Sequence, residues 1–127
     1  LNVAIANAEK NQVDVKFVLS NMFENLDGKF DLIVTNPPYI ATDDLEDLDD
    51  EVKNCDPRLA LDGGDFGLSY YKIIHDNLRK SLNENGIIIM EIGEDQRLMI
   101  ESLFNDFELI EVGKDYNDVE RVLVFKK

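Results

Sequence analysis

The sequence predicts an α/β fold, a sheet of strands joined by right-handed helical crossovers, and three observations carry it. Apolar stretches with strand character alternate along the chain with amphipathic helical stretches. The run Ile87-Ile88-Ile89-Met90 is short, continuous and apolar, as in a central strand covered on both faces. Another apolar stretch, over 30–35, ends in Asn36-Pro37-Pro38-Tyr39, a stiff turn where such a sheet places its ligand crevice. No repeat or linker divides the 127 residues, which make one domain or part of one.

The elements are taken in chain order. Residues 1–12 hold Val3, Ala4, Ile5 and Ala8 among good helix formers and read as the later part of a helix. No capping residue precedes them, and the chain opens on Leu1, so we expect the segment to begin inside a larger protein. Residues 13–20 alternate Val13, Val15, Phe17 and Leu19 with polar or smaller neighbours, the period-two pattern of a strand. Asp27-Gly28 then turns the chain into a second strand over 30–35. Residues 42–54 carry Leu45, Leu48 and Val52 at helical spacing among acids, a short surface helix. Residues 56–65, with Pro57, Gly63 and Gly64, read as a loop.

A longer helix covers 67–82, with Tyr71, Ile74, Leu78 and Leu82 on one stripe. Asn85-Gly86 leads into the apolar strand over 86–93. Leu98, Ile100, Leu103 and Phe104 mark a helix over 95–105. Strands over 107–113 and 121–125 close the chain, and Asn117-Asp118 between them suits an antiparallel pair. Ligands of such sheets bind beyond the carboxyl ends of the strands, which predicts that 20–23, 36–39 and 91–95 converge.

Composition narrows the function classes. A net charge of −14 works against direct contact with a polyanion, since phosphate recognition relies on Lys and Arg. No apolar run approaches the roughly 18 to 20 residues that cross a bilayer. A single cysteine, Cys55, excludes an internal disulfide and a cysteine-based zinc site, and a cytoplasmic protein is the plain reading.

Pro37 and Pro38 fix φ and donate no backbone hydrogen bond, so they end a ladder and stiffen the turn. A residue before proline is pushed to extended backbone, which keeps Asn36 in line with its strand. Its side chain offers a carbonyl acceptor and an NH2 donor, and Tyr39 adds a flat face with a polar tip. Together they make a rigid platform for a planar nitrogen-bearing group.

Asn36-Pro37-Pro38-Tyr39 after an apolar strand resembles the amino-methylating S-adenosylmethionine-dependent methyltransferases, whose class I fold is a Rossmann-like sheet. The tetrapeptide is shared with enzymes acting on DNA and RNA. Two further blocks, Asp56-Pro57-Arg58-Leu59-Ala60-Leu61-Asp62-Gly63-Gly64 and Glu91-Ile92-Gly93 with Gln96, make the match similar to the HemK/PrmC family. The resemblance implies S-adenosylmethionine as cofactor and a peptide-chain release factor as partner, methylated on the glutamine nitrogen of its Gly-Gly-Gln loop. The charge leads us to expect no direct nucleic-acid partner, the apolar runs no membrane, and a transfer from an already activated methyl group no metal. Nucleic-acid amino methylation is the alternative.

The resemblance covers nearly all of the chain as the C-terminal portion of a catalytic domain. It places the family's glycine-rich cofactor loop, ribose-gripping acid and N-terminal substrate-binding domain before Leu1, so the segment by itself is expected to bind cofactor weakly and to be inactive. Asn21 stands where the family usually has Asp, in Ser20-Asn21-Met22-Phe23; it can still accept from an adenine amino group, with Met22 packed on the ring. Asn36, Pro37 and Tyr39 are then the catalytic candidates. Asn36 through Tyr39 bind substrate, and Asn21, Met22 and Asn36 bind cofactor.

Blander readings stand beside these. Asn36-Pro37-Pro38-Tyr39 taken alone is also a plain stiff turn. The acids of 43–51 lack the glycine and spacing of a calcium loop and read as a solvated face. His75 reads as structural, Cys55 as a packed or neutral loop residue, and Tyr70 and Tyr71 as helix packing. Glu91 is either a catalytic carboxylate or, preferred, an anchor for neighbouring loops. Gly63-Gly64 reads as a turn or close approach of chain to chain, since no P-loop lysine follows.

Overall fold

Ile87-Ile88-Ile89-Met90 does form the middle of a sheet. The computed structural model describes residues 1–55 and 57–127. Its four-stranded sheet runs β1 (Phe30–Thr35), β2 (Leu82–Glu91), β3 (Glu108–Lys114) and β4 (Glu120–Lys126), in the spatial order β1-β2-β4-β3. β1 and β2 are parallel, with Val34 opposite Ile89 and Thr35 opposite Met90. β4 enters antiparallel between β2 and β3, pairing Ile89 with Val124 and Leu109 with Phe125. The terminal antiparallel pair is therefore as expected, and one of its strands also borders the central one.

The helices are α1 (Asn2–Asn11), α2 (Asp50–Cys55), α3 (Arg58–Leu61), α4 (Ser69–Ser81) and α5 (Arg97–Leu103), with 3-10 turns at Thr42–Asp47 and Asp65–Gly67. α4 buries Tyr71, Ile74 and Leu78 of the stripe expected from its periodicity, while the fourth member, Leu82, is buried as the first residue of β2 instead. These meet Ile88, Met90 and Ile92 on the sheet side, Ile100 of α5, Phe104, and Leu123 and Phe125 of β4. Each large apolar side chain so buried contributes about 1.5–3 kcal/mol. The Phe104 and Phe125 rings stack with centroids 5.2 Å apart.

Five readings of the sequence are corrected. Residues 13–20 form no strand: among the described residues nothing accepts a ladder from them, and Val13, Val15 and Leu19 lie exposed. Alternation marks a chain suited to a sheet edge, but strand hydrogen bonds exist only against a neighbour. The helix over 42–54 divides into a 3-10 turn and α2, because Leu48 adopts extended backbone. The loop over 56–65 contains the one-turn helix α3. β2 is fully covered on one face only: Ile88 and Met90 are sealed, Ile87 and Ile89 are half-buried, and Leu32 and Val34 on that second side are exposed. Strand β2 also starts at Leu82, and the expected Asn85-Gly86 connection lies inside it, where the register against β1 shifts.

His75 takes the structural part expected of it. Its Nε2 lies 2.9 Å from Asp106 Oδ1, and its ring meets Phe104 edge-on. Arg79 Nε donates to the same carboxylate at 2.8 Å, so α4 is clamped to the turn before β3. Asp106 is partly desolvated, which pushes its pKa up, but the His75 and Arg79 hydrogen bonds outweigh this and hold it below the usual value. The Cys55 side chain and Asp56 lie outside the described residues. No helix among the described residues is long and apolar enough to cross a membrane.

Candidate active site

At the carboxyl end of β1, Thr35 makes the last pair with β2, and the prolines then end the ladder. Pro37 is buried, Pro38 and Tyr39 are half-buried, and Asn36 is exposed. A buried proline under an exposed amide offers the Asn36 side chain to whatever enters from solvent.

The second block explains why the tetrapeptide keeps its shape. Ile40 forms a parallel bridge with Asp62, accepting from Gly63 N at 2.7 Å and donating to Leu61 O at 3.2 Å. The Asp62 carboxylate accepts from Thr42 Oγ1 at 2.7 Å and from Gly64 N at 3.0 Å. Those two bonds, the Thr42 hydroxyl first, hold its pKa below the ordinary carboxylate value. Gly63 is a close approach, as expected: a Cβ there would sit 2.8 Å from both Pro38 O and Tyr39 Cα.

The third block anchors Tyr39 from the other side. Its hydroxyl donates to Glu91 Oε1 at 3.2 Å, and Tyr71 Oη donates to Glu91 O at 2.7 Å. Partial burial, and then the Glu91 charge, push the Tyr39 phenol upward, so it stays a neutral donor. Glu91 has the geometry of an anchor: both its carboxylate and its carbonyl are engaged by tyrosines. Gln96 Nε2 donates to Tyr39 O at 2.8 Å and Phe66 O at 3.2 Å, while its Oε1 accepts from Gly93 N at 2.9 Å. Beside this frame lies a hollow of about 360 Å³ whose lining includes Tyr39, Ile40, Phe66, Gly93, Gln96 and Met99.

The segments at 36–39 and 91–96 therefore converge. Asn21 and Met22 do not join them in that hollow. They line a separate one of about 670 Å³ against Ile73 and Asn77 of α4. Ser20 Oγ shapes the turn there, donating to Met22 O at 2.9 Å and accepting from Asn25 N at 2.9 Å. Asn21 Nδ2 donates to Glu24 Oε1 at 3.0 Å, which leaves its Oδ1 to accept. A purine amino group needs that chemistry, and Met22 packs partly buried against the core beside it. The donor set thus fits the adenine end of the implied cofactor; the sequence holds no G-x-G run for its other end. No group of three or more His, Cys, Asp or Glu among the described residues is placed to hold a metal ion.

Sequence reasoning quoted Gln96 without a role and missed Phe66 and the hydroxyl of Tyr71. The trace of Gln96 was a polar residue at the start of an otherwise apolar-striped helix. Phe66 left no trace, because what it offers is a backbone carbonyl on a left-handed turn (φ 51°), met by Gln96 from 30 positions away.

The methyltransferase small domain family matches residues 1–64, half of the chain. The chain belongs to that family. As one of its members it is similar to the release factor glutamine methyltransferase of Agrobacterium fabrum, 46% identical across 100% of this chain and 45% of that protein. It is also similar to the protein of the same name from Thermodesulfovibrio yellowstonii, 38% identical over 94% of this chain and 44% of that one. The chain thus spans less than half the length of these curated relatives. A methyltransferase crystal structure from Pyrococcus furiosus superposes with a TM-score of 0.70 over 99% of this chain and 56% of that one. At 17% identity that likeness shows the fold, the α/β sheet of the methyltransferases.

Proposed function

We propose that this chain is the later part of a catalytic domain that transfers a methyl group from S-adenosylmethionine to the glutamine side chain in the Gly-Gly-Gln loop of peptide-chain release factors. The observation that carries the reading is the double anchoring of Tyr39, which leaves Asn36 exposed on a stiff support at the end of β1. Relatives that match the whole chain and bear the name release factor glutamine methyltransferase support the substrate class. The same reading puts the enzyme in the cytoplasm, with its proposed release-factor substrate.

A glutamine amide nitrogen is a poor nucleophile, because its lone pair is shared with the carbonyl. When bound, the cofactor supplies a methyl group already activated on a sulfonium, so the protein's task is placement. The Asn36 side-chain oxygen and the Pro37 carbonyl each accept one N–H of the substrate amide. With both protons held, the lone pair has one direction left. As the nitrogen becomes tetrahedral and positive, the two acceptors stabilise it more than they did the planar amide. With the N–C bond formed in place of the S–C bond, the nitrogen gives one of the held protons to solvent, which the exposed Asn36 borders, and returns to a neutral planar amide. The Tyr39 ring packs on the amide plane and favours the growing positive charge through its face. Asn21 and Met22 hold the adenine end of the cofactor.

The full-length protein, S-adenosylmethionine and a release factor, followed by mass spectrometry, test this directly. The expected result is one added methyl on the glutamine of the Gly-Gly-Gln peptide. An unmodified peptide together with methylated DNA or RNA overturns the substrate class in favour of the nucleic-acid alternative.

A further inference from the structure

We propose that Gln96 is a positioning residue for the methyl acceptor, working through the Tyr39 ring. The inference rests on the proposal that Asn36 through Tyr39 receive the acceptor nitrogen.

Gln96 is only 7% exposed, yet its whole amide is engaged. Its orientation is dictated by its partners. Gly93 N–H can only donate, so Oε1 faces it; Tyr39 O and Phe66 O can only accept, so Nε2 faces them. One side chain thereby joins three segments from different parts of the sequence: the loop after β1, the 3-10 turn Asp65–Gly67 and the loop after β2. Its own backbone is tied into α5, where Ile100 N donates to Gln96 O at 3.1 Å. The amide thus transmits the position of a packed helix to a loop that ends in solvent.

The Tyr39 ring is consequently held at both ends, by Gln96 at its backbone carbonyl and by Glu91 at its hydroxyl. The peptide unit that carries the ring is held on its carbonyl side by Gln96 and on its N–H side by the bond from Ile40 N to Leu61 O. Losing Gln96 frees the carbonyl side, so the plane from which the ring hangs can tilt and shift the ring face. Misplacement of a reacting group by about 1 Å is enough to slow a reaction on the order of 100-fold. Among the described residues no other side chain bonds to the Tyr39 carbonyl.

The test uses the full-length protein and whichever acceptor the parent enzyme methylates, a Gly-Gly-Gln protein or a nucleic acid. Which of them it is judges the proposed function separately from Gln96. Gln96→Met keeps length and burial but removes every hydrogen bond. It should lower kcat about 10- to 100-fold, with KM for S-adenosylmethionine within about twofold. In a Tyr39→Ala background the same change should cost less than about threefold, because its path to the acceptor runs through the ring. Melting followed by circular dichroism confirms that each variant is folded at the assay temperature. If Gln96→Met is not, Gln96→Asn, which keeps a buried amide one methylene short, is assayed with the same expectations. A folded Gln96 variant with parental kcat overturns the proposal, and so does full additivity with Tyr39→Ala.

Discussion

The hydroxyl of Tyr39 donates to Glu91 Oε1 across 3.2 Å, and this joins the carboxyl ends of β1 and β2 through side chains where their ladder has stopped. The bond explains how a proline-stiffened loop stays registered on the sheet beneath it. Tyr39→Phe removes the bond and keeps the ring. Stability of the full-length protein should fall by about 0.5–1.5 kcal/mol in urea denaturation, and kcat should fall about 10-fold, since the ring face remains but loses one of its two anchors. A loss of kcat as large as that of Tyr39→Ala would mean that the hydroxyl, and not the face, carries Tyr39's part.

Asn36 is exposed, so its replacement should touch chemistry and leave stability alone. Asn36→Ala should lower kcat on the order of 100-fold or more, the cost of losing one preorganised hydrogen-bonding group. The melting temperature should match the parent's. Near-parental turnover would exclude the two-acceptor arrangement.

Gly67 lies where chain crosses chain. Its φ is 68°, and a Cβ there would collide with the Tyr39 carbonyl and come within 2.5 Å of Gln96 Nε2. Gly67→Ala should therefore cost about 1–3 kcal/mol in chemical denaturation. It should also lower kcat more than an equally destabilising change remote from the site.

Asp62 gives the acid side of the stability profile its sign. Its folded-state pKa lies below the ordinary value of 3.8, so its contribution is fully present above that value and is lost as pH falls through the folded one. Asp62→Asn should lower stability at neutral pH and leave a shallower decline below pH 3.8, read as melting temperature against pH. Parallel curves for parent and variant would show that Thr42 and Gly64 do not tune this carboxylate.

Phe104 is completely buried, between the Phe125 ring and the edge of His75. Phe104→Ala should cost about 3–5 kcal/mol, measured by urea denaturation. A cost under about 1 kcal/mol would show a core able to collapse around the gap.

Elements with their own periodicity were legible. The stripe of Tyr71, Ile74 and Leu78 on α4 and the apolar centre of β2 both appear where the pattern put them. Residues 13–20 have equally clean alternation and yet no ladder, because a strand's hydrogen bonds belong to its neighbour as much as to itself. At the site, Asn36, Pro37, Pro38 and Tyr39 were legible from their chemistry alone. The separation of Asn21 and Met22 from the Tyr39 hollow was not. Neither was Phe66, whose backbone conformation is disfavoured for its residue type.

By itself, then, the sequence determined the α/β alternation, the helical stripes and a rigid asparagine platform at the end of a strand. All of these come from side-chain period and from the fixed φ of proline, which are local properties of the chain. The tertiary structure alone decided why the three sequence blocks occur together. Asp62 and Gly63 run beside Ile40, while Glu91 and Gln96 hold Tyr39 from across the sheet. Those contacts span 22 to 57 positions of sequence. No local pattern encodes them, because a buried amide or carboxylate shows its role only once the chain has folded its partners into reach.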